Sequence, residues 1–190
     1  MKRLFDLILS ILLLFLFAPI LAVCYIAIKC EDGGNPIFKQ ERIGLGGHPF
    51  YIYKFRSMRI DAEADGPQLC NTKGDARLTH VGNFLRRLHL DELPQLFNVL
   101  IGDMSFVGPR PERKHFIDQI MKHDPRYVEL YRIRPGVTSY ATIYNGYTDS
   151  MEKMLKRLEY DLEYVERHSL WLDIKLMCTT VYKIIRGSRI

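Results

Sequence analysis

The sequence is poor in paired cysteines, in clustered charge of one sign and in repetition, and each shortage removes a class of protein. Its four cysteines, Cys24, Cys30, Cys70 and Cys178, form no Cys-x-x-Cys pair and show no metal-ligand spacing. That pattern argues against a zinc site or a disulfide framework and for reduced thiols in a cytosol-facing protein. No internal repeat and no low-complexity tract is present, and 190 residues suffice for one compact core. The net charge of +5 favours an anionic partner, either anionic lipid or a phosphate-bearing substrate. A nucleic-acid partner is not expected, because basic residues alternate with acids and no recognition motif is present.

Charge is also missing altogether from residues 7–28, 22 positions preceded by Lys2 and Arg3. A cleaved signal peptide fits poorly: Val23 is too large for the position before a lipoprotein cysteine at Cys24, and the chain stays apolar through Ile28. A straight transmembrane helix needs about 20 such residues, but Pro19 removes a backbone donor and predicts a kink. The halves, 7–18 and 20–28, are each too short to cross at about 1.5 Å per residue. Both flanks are basic, with Lys29, Lys39, Arg42, Lys54 and Arg56 following, so both ends prefer the cytoplasmic side. A re-entrant helix broken at Pro19 meets all of these constraints; a proline-kinked span is the alternative.

Glu31-Asp32-Gly33-Gly34-Asn35-Pro36 ends this segment with turn chemistry. The expected division is a membrane helix-break-helix over 1–32 and a membrane-associated domain over 33–190. Residues 37–40 and 50–55 flank Gly44-Leu45-Gly46-Gly47-His48-Pro49 and predict a small β-hairpin with Tyr51, Tyr53 and Phe55 on one face. Residues 61–75 read as a mobile loop. Helical stripes follow: Leu93, Leu96, Phe97 and Leu100; Phe116, Ile117, Ile120 and Met121; and Met151, Met154, Leu155, Leu158, Leu162 and Val165, the last opposite a charged face. Residues 171–185 suit a helix in the headgroup region, with Trp171 at the interface and Lys175, Lys183 and Arg186 snorkelling; a buried globular helix is the alternative. The fold class expected is α+β, mainly helical: a re-entrant membrane helix kinked at Pro19, a small hairpin and amphipathic interfacial helices around one catalytic domain.

The chemistry concentrates in residues 75–111. Adjacent carboxylates, Asp91 and Glu92, stand between Arg86 and Arg87 on one side and Arg110 on the other. An isolated Asp-x-x-Pro reads as a helix N-cap, with Pro94 tolerated in the first turn. A helix start ringed by arginines is also an anion site, and two carboxylates there can hold a divalent cation and a phosphate together. Mg2+ matches that composition, since it takes few carboxylates and completes its shell with phosphate oxygens and water. Arg86 and Arg110 can clamp phosphate with their planar forks. Gly108-Pro109-Arg110-Pro111 is a stiff turn that fixes the direction of Arg110.

The run Leu90-Asp91-Glu92-Leu93-Pro94-Gln95-Leu96-Phe97-Asn98-Val99-Leu100, continued by Gly102-Asp103-Met104-Ser105-Phe106-Val107-Gly108-Pro109-Arg110-Pro111, resembles the bacterial sugar transferase family. Ile52-Tyr53-Lys54-Phe55-Arg56-Ser57-Met58 and Arg134-Pro135-Gly136-Val137-Thr138 extend the likeness to nearly the whole chain. The family's small monotopic phosphoglycosyl transferases move a sugar-1-phosphate from a UDP-sugar to undecaprenyl (polyprenol) phosphate and release UMP. The resemblance implies that Asp91 is the nucleophile forming a sugar-phosphoryl aspartate, with Glu92 completing the pair and Mg2+ held by Asp91 and Glu92. It implies that Lys54, Arg86 and Arg110 line the phosphate site, with Arg134 toward the nucleotide. It further implies a helix break at Ala18-Pro19, a place on the cytoplasmic face of the bacterial inner membrane, and the first membrane step of surface-glycan assembly. Self-association into a homo-oligomer is left open. The chain departs from the family where Arg-Pro-Gly is followed by Val137-Thr138-Ser139-Tyr140-Ala141-Thr142-Ile143 rather than Ile/Leu-Thr-Gly-Trp-Ala-Gln-Val, which puts the donor sugar in doubt. The rival reading is a basic, membrane-anchored adaptor without catalysis, and another is a bitopic enzyme that transfers in a single step.

Overall fold

The computed structural model describes residues 1–62, 75–146, 148 and 150–186. Nearly all of the loop expected at 61–75, with Cys70, lies outside the described residues. The remaining cysteines, Cys24, Cys30 and Cys178, are free thiols. The protein is mainly helical with two small sheets.

Helix α1 (Lys2–Asp32) is one continuous element with Pro19 inside it, and it stops where Gly33 turns left-handed at φ 72° and donates to Lys29. Its 31 residues extend about 46 Å if straight, enough to cross a membrane by length. Ile8, Leu12, Phe15, Leu16 and Val23 stand exposed on one side, while Leu9, Leu13, Leu14 and Phe17 pack on the core. Only 11% of its most apolar window is buried, which separates it from the core helix of an ordinary globular protein.

Both ends of α1 are tied to the rest of the chain. Lys2 donates to the Val107 carbonyl at 3.0 Å and pairs with Asp173. Arg3 donates to the Val99 and Leu100 carbonyls at 2.5 and 2.8 Å. Buried Asp6 accepts from the Ser105 hydroxyl at 2.9 Å and from the Phe106 amide at 3.3 Å. At the far end Cys24 and Ile28 pack with Phe55 and Leu85, Glu31 accepts from the Val81 amide at 3.1 Å, and Asp32 pairs with Arg56.

The expected hairpin is present and longer. Strand β1 (Ile37–Ile43) pairs antiparallel with β2 (Pro49–Phe55), Ile37 opposite Phe55 and Ile43 opposite Pro49. Its first strand continues past Gln40 because Arg42 is held against Glu112 and the Ile43 amide donates to the Glu112 carbonyl at 3.2 Å. The aromatic face is not uniform: Tyr51 is exposed, whereas Phe55 and, on the opposite face, Ile52 are buried.

After α2 (His80–Arg87) comes α3 (Gln95–Ile101), whose buried face is Gln95, Leu96, Asn98 and Val99. Phe97, expected inward, is exposed; Asn98 displaces it because that side chain serves the hairpin backbone. A second, parallel sheet joins β3 (Ser105–Val107) to β4 (Gly136–Thr138). No residue with a Cβ fits at Gly136, where that atom would lie 2.1 Å from the Gly108 nitrogen. Helices α4 (Lys114–His123), α5 (Tyr140–Asn145), α6 (Met151–Arg167) and α7 (Leu170–Ile185) complete the fold. The α4 and α6 stripes pack together through Phe116, Ile117, Ile120, Met154, Leu158 and Val165. On α7 Asp173 and Leu176 are buried, while Trp171, Val181, Tyr182 and Ile185 are exposed.

Candidate active site

Asp91 reaches its place through an unusual backbone step. Thr79 caps α2, accepting from the Gly82 amide at 2.9 Å, and α2 ends on Arg86 and Arg87. His89 then turns left-handed at φ 55°, the one non-glycine residue with positive φ among the described residues. That conformation costs roughly 1–3 kcal/mol and persists only where its surroundings enforce it. The chain continues as a short 3-10 turn, Leu90–Glu92, then Pro94, then α3. Asp91 is therefore not the cap of α3, whose N-cap position is Pro94. It lies in the reversal between two helices, and its surroundings, not a helix dipole, set its electrostatics.

Those surroundings are partly shielded and cationic. Asp91 is 8% exposed. Burial, and then the neighbouring Glu92 charge, push its carboxyl above the ordinary range; Lys54, Arg86 and His89 pull the other way without cancelling the rise. Glu92 shifts oppositely. Burial alone would raise it, but Lys54 and Arg110 outweigh that effect and bring the carboxyl down to about 2. The Lys54 ammonium donates to Glu92 Oε1 at 2.6 Å. Two adjacent carboxylates thus have different tasks available: one is a fixed anion paired to lysine, the other a buried, more basic carboxyl.

The cations are positioned by backbone ties. Asn98 of α3 accepts from the Tyr53 amide at 2.9 Å and donates to the Tyr51 carbonyl at 2.7 Å, which fixes β2, and so Lys54, against the helix that follows the carboxylates. The turn at 108–112 is held throughout its length. Gly108 donates to Thr138 at 3.1 Å, and Pro109 accepts from Gly136 at 2.9 Å. Arg110 donates its amide to Asp161, and Pro111 accepts from Arg42 at 3.2 Å. Buried Glu112 takes both Arg42 and Arg157, the latter at 2.6 Å. The stiff turn read from Gly-Pro-Arg-Pro is present, and hydrogen bonds reinforce its prolines.

Asp91, Glu92, Lys54, Arg86 and Arg110 therefore share one electrostatic neighbourhood. Arg134 does not join them: its Nε donates to the Gly102 carbonyl at 2.8 Å. Gly102 is the left-handed residue ending α3, so Arg134, like Arg3, serves the carbonyl end of that helix, away from the carboxylates. Of the charged residues of α6, Arg157 and Asp161, which flank the apolar stripe, are buried. These two, with Arg42 and Glu112, are site-supporting residues that sequence reasoning missed. The available signal was Glu112 directly after the Pro-Arg-Pro turn. Among the described residues no three His, Cys, Asp or Glu side chains form a metal-binding group. The pair Asp91 and Glu92 can supply two carboxylates, which suits an ion that takes its remaining ligands from phosphate and water.

The model of bacterial sugar transferases matches residues 1–187. The chain belongs to the bacterial sugar transferase family. Among curated bacterial sugar transferases, the Escherichia coli UDP-glucose:undecaprenyl-phosphate glucose-1-phosphate transferase is 44% identical over 96% of this chain and 40% of its own length. A UDP-N-acetylgalactosamine-undecaprenyl-phosphate N-acetylgalactosaminephosphotransferase of Aeromonas hydrophila is 40% identical over 98% of the chain and 44% of its own length. The Caulobacter vibrioides UDP-glucose:undecaprenyl-phosphate glucose-1-phosphate transferase is 43% identical over 97% of the chain and 69% of its own length. The chain thus spans about two fifths of the length of the first two bacterial sugar transferases named. These relatives differ in the sugar they are named for.

Proposed function

We propose that the chain is a phosphoglycosyl transferase that moves a sugar-1-phosphate from a UDP-sugar to undecaprenyl phosphate and releases UMP. The observation that carries the reading is the buried Asp91 beside a lysine-paired Glu92, with Arg86 acting on Asp91 and Arg110 on Glu92. Relatives named as transferases onto undecaprenyl phosphate supply the substrate class.

In this reading an Asp91 oxygen attacks the β-phosphorus of the donor. The bond from that phosphorus to the bridging oxygen breaks, and UMP leaves with the electron pair. The sugar-phosphoryl aspartate that results is attacked by an oxygen of the polyprenol phosphate, which regenerates the Asp91 carboxylate. Low dielectric makes the Asp91 oxygen a stronger nucleophile than a solvated carboxylate. Lys54 keeps Glu92 anionic, and Arg86 and Arg110 offset the charge that gathers on the phosphates. Asp91 and Glu92 would hold Mg2+ with the donor's diphosphate, where the ion supplies charge neutralisation. Arg134 holds the end of α3 through its Nε, and the rest of its guanidinium would serve the nucleotide side of the donor.

The membrane reading follows from both ends of α1 being tied to the same domain, which favours a helix that enters and leaves one leaflet. With basic flanks the domain then faces the cytoplasm, and the exposed residues of α7 lie in the interface. The step would be the first membrane step of a surface glycan. The adaptor reading gives no reason to bury Asp91 among cations.

The test is UMP release by the protein in nanodiscs against a panel of UDP-sugars, with polyprenol phosphate present. Release from at least one donor, lost on chelation and restored by magnesium, is expected. Release from none, or turnover that survives chelation, would overturn respectively the function or the metal.

A further inference from the structure

Asp161 lies on α6, 2% exposed, and is no part of the carboxylate pair. One oxygen, Oδ2, accepts the Arg110 backbone amide at 3.3 Å. The other, Oδ1, is buried without a hydrogen-bond partner, and the Ala141 amide in the first turn of α5 faces the carboxyl. Arg157, one turn earlier on α6, is committed to Glu112 at 2.6 Å. A buried carboxylate used at half capacity is costly to a fold, and hydrophobic packing would serve α6 better if stability were its only task.

The position of this carboxylate explains the expense. It touches the backbone of the one residue in the 108–112 turn whose side chain acts on Glu92. It also faces the start of α5, where Tyr140 and Ala141 stand in the segment that departs from the family pattern. Further ties on the turn lie to either side of Arg110: Gly108 and Pro109 to β4, Pro111 and Glu112 to Arg42.

We propose that Asp161 is a positioning residue for the transfer reaction, holding the Arg110 backbone so that the guanidinium is delivered to the carboxylate pair, and coupling that delivery to α5. The inference rests on the proposed phosphoglycosyl transferase reading. Asp161→Asn keeps the shape and one acceptor oxygen, but presents an N–H where the second oxygen faces an amide. The turn then loses its fixed point, and the advantage of having arginine at 110 falls with it.

The experiment is a double-mutant cycle on the full chain in nanodiscs, reading kcat and KM for UMP release with Asp161→Asn, Arg110→Ala and the pair. Asp161→Asn is expected to lower kcat about tenfold or more with KM for the donor changed less, and to cost less than about twofold once Arg110 is alanine. Equal fractional loss in both backgrounds, as an ordinary folding defect gives, would overturn the proposal; so would full activity of Asp161→Asn. Should Asp161→Asn not fold, Asp161→Glu, which keeps the charge and displaces the tie, must show the same dependence on Arg110 or the proposal fails. Full activity of Arg110→Ala would instead contradict the active-site reading on which this inference stands.

Discussion

Asp91 and Glu92 are chemically near-identical neighbours, and only their partners separate them. Lys54 hydrogen-bonds to Glu92, so the charge of Glu92 is settled before substrate arrives, while burial leaves Asp91 more basic. Glu92→Gln should therefore reduce turnover by roughly a hundredfold, in line with removing a charge that organises a transition state, while Lys54→Met should lose activity without loss of the fold; steady-state kinetics with circular dichroism checks both. Asp161 carries a separate prediction about pH. Burial pushes its carboxyl up to about 7, against the pull of Arg157 and Arg110, and Tyr127 and Tyr164 also feel its charge. The folded state thus binds this proton more tightly than the unfolded chain does. Stability from this group is full below the ordinary carboxylate range and is lost as pH rises toward 7, by roughly 1.4 kcal/mol per unit between the two values. Asp161→Asn has no such loss, so its melting temperature relative to the parent should climb between pH 5 and pH 8. A constant difference across that range would contradict the assignment.

At the scale of elements, α3 is the beam on which the site is built. Its start follows the carboxylates, its middle fixes the hairpin through Asn98, and its end is held by Arg3 and Arg134. Asn98→Ala would remove the partner of the Tyr53 amide and the Tyr51 carbonyl in a part-buried place, at a cost of about 1–2 kcal/mol. Thermal unfolding in detergent should show the drop, and activity should fall with it because Lys54 rides on the freed strand. The same comparison shows what the sequence could reveal. The hairpin was legible because alternation and a glycine-rich turn are local signals. The parallel pairing of β3 with β4 was not, since three-residue strands carry no period and their partners are 31 residues apart. Phe97 falls on the inward stripe by its helical spacing from Leu93 and Leu100, and no periodicity rule ranks a buried asparagine above a phenylalanine. Asp91, Glu92, Lys54 and Arg110 were found through a long motif, whereas Arg42, Arg157 and Asp161 were hidden because a charged side chain on a helix or strand looks solvated until its partner is seen.

At the scale of the whole molecule, an apolar helix lies along a basic domain and is fastened at both ends to it. Asp6, Lys2 and Arg3 at one end, and Glu31 and Asp32 at the other, hold polar ties to that domain, and the proposed re-entrant topology would keep both sets on one side of the bilayer. A cysteine placed at either end of α1 should therefore be shielded from impermeant thiol reagents in intact cells; labelling of the N-terminal one from outside would replace the re-entrant reading with a spanning one. Every level converges on the reactivity of one oxygen. Intact-mass measurement of the purified protein with its UDP-sugar and no lipid acceptor tests that most directly. The account predicts a mass increase of one sugar-phosphate, mapped to Asp91, discharged by added polyprenol phosphate and missing from Asp91→Asn. Unmodified protein throughout, with UMP formed only after the acceptor is added, would contradict it.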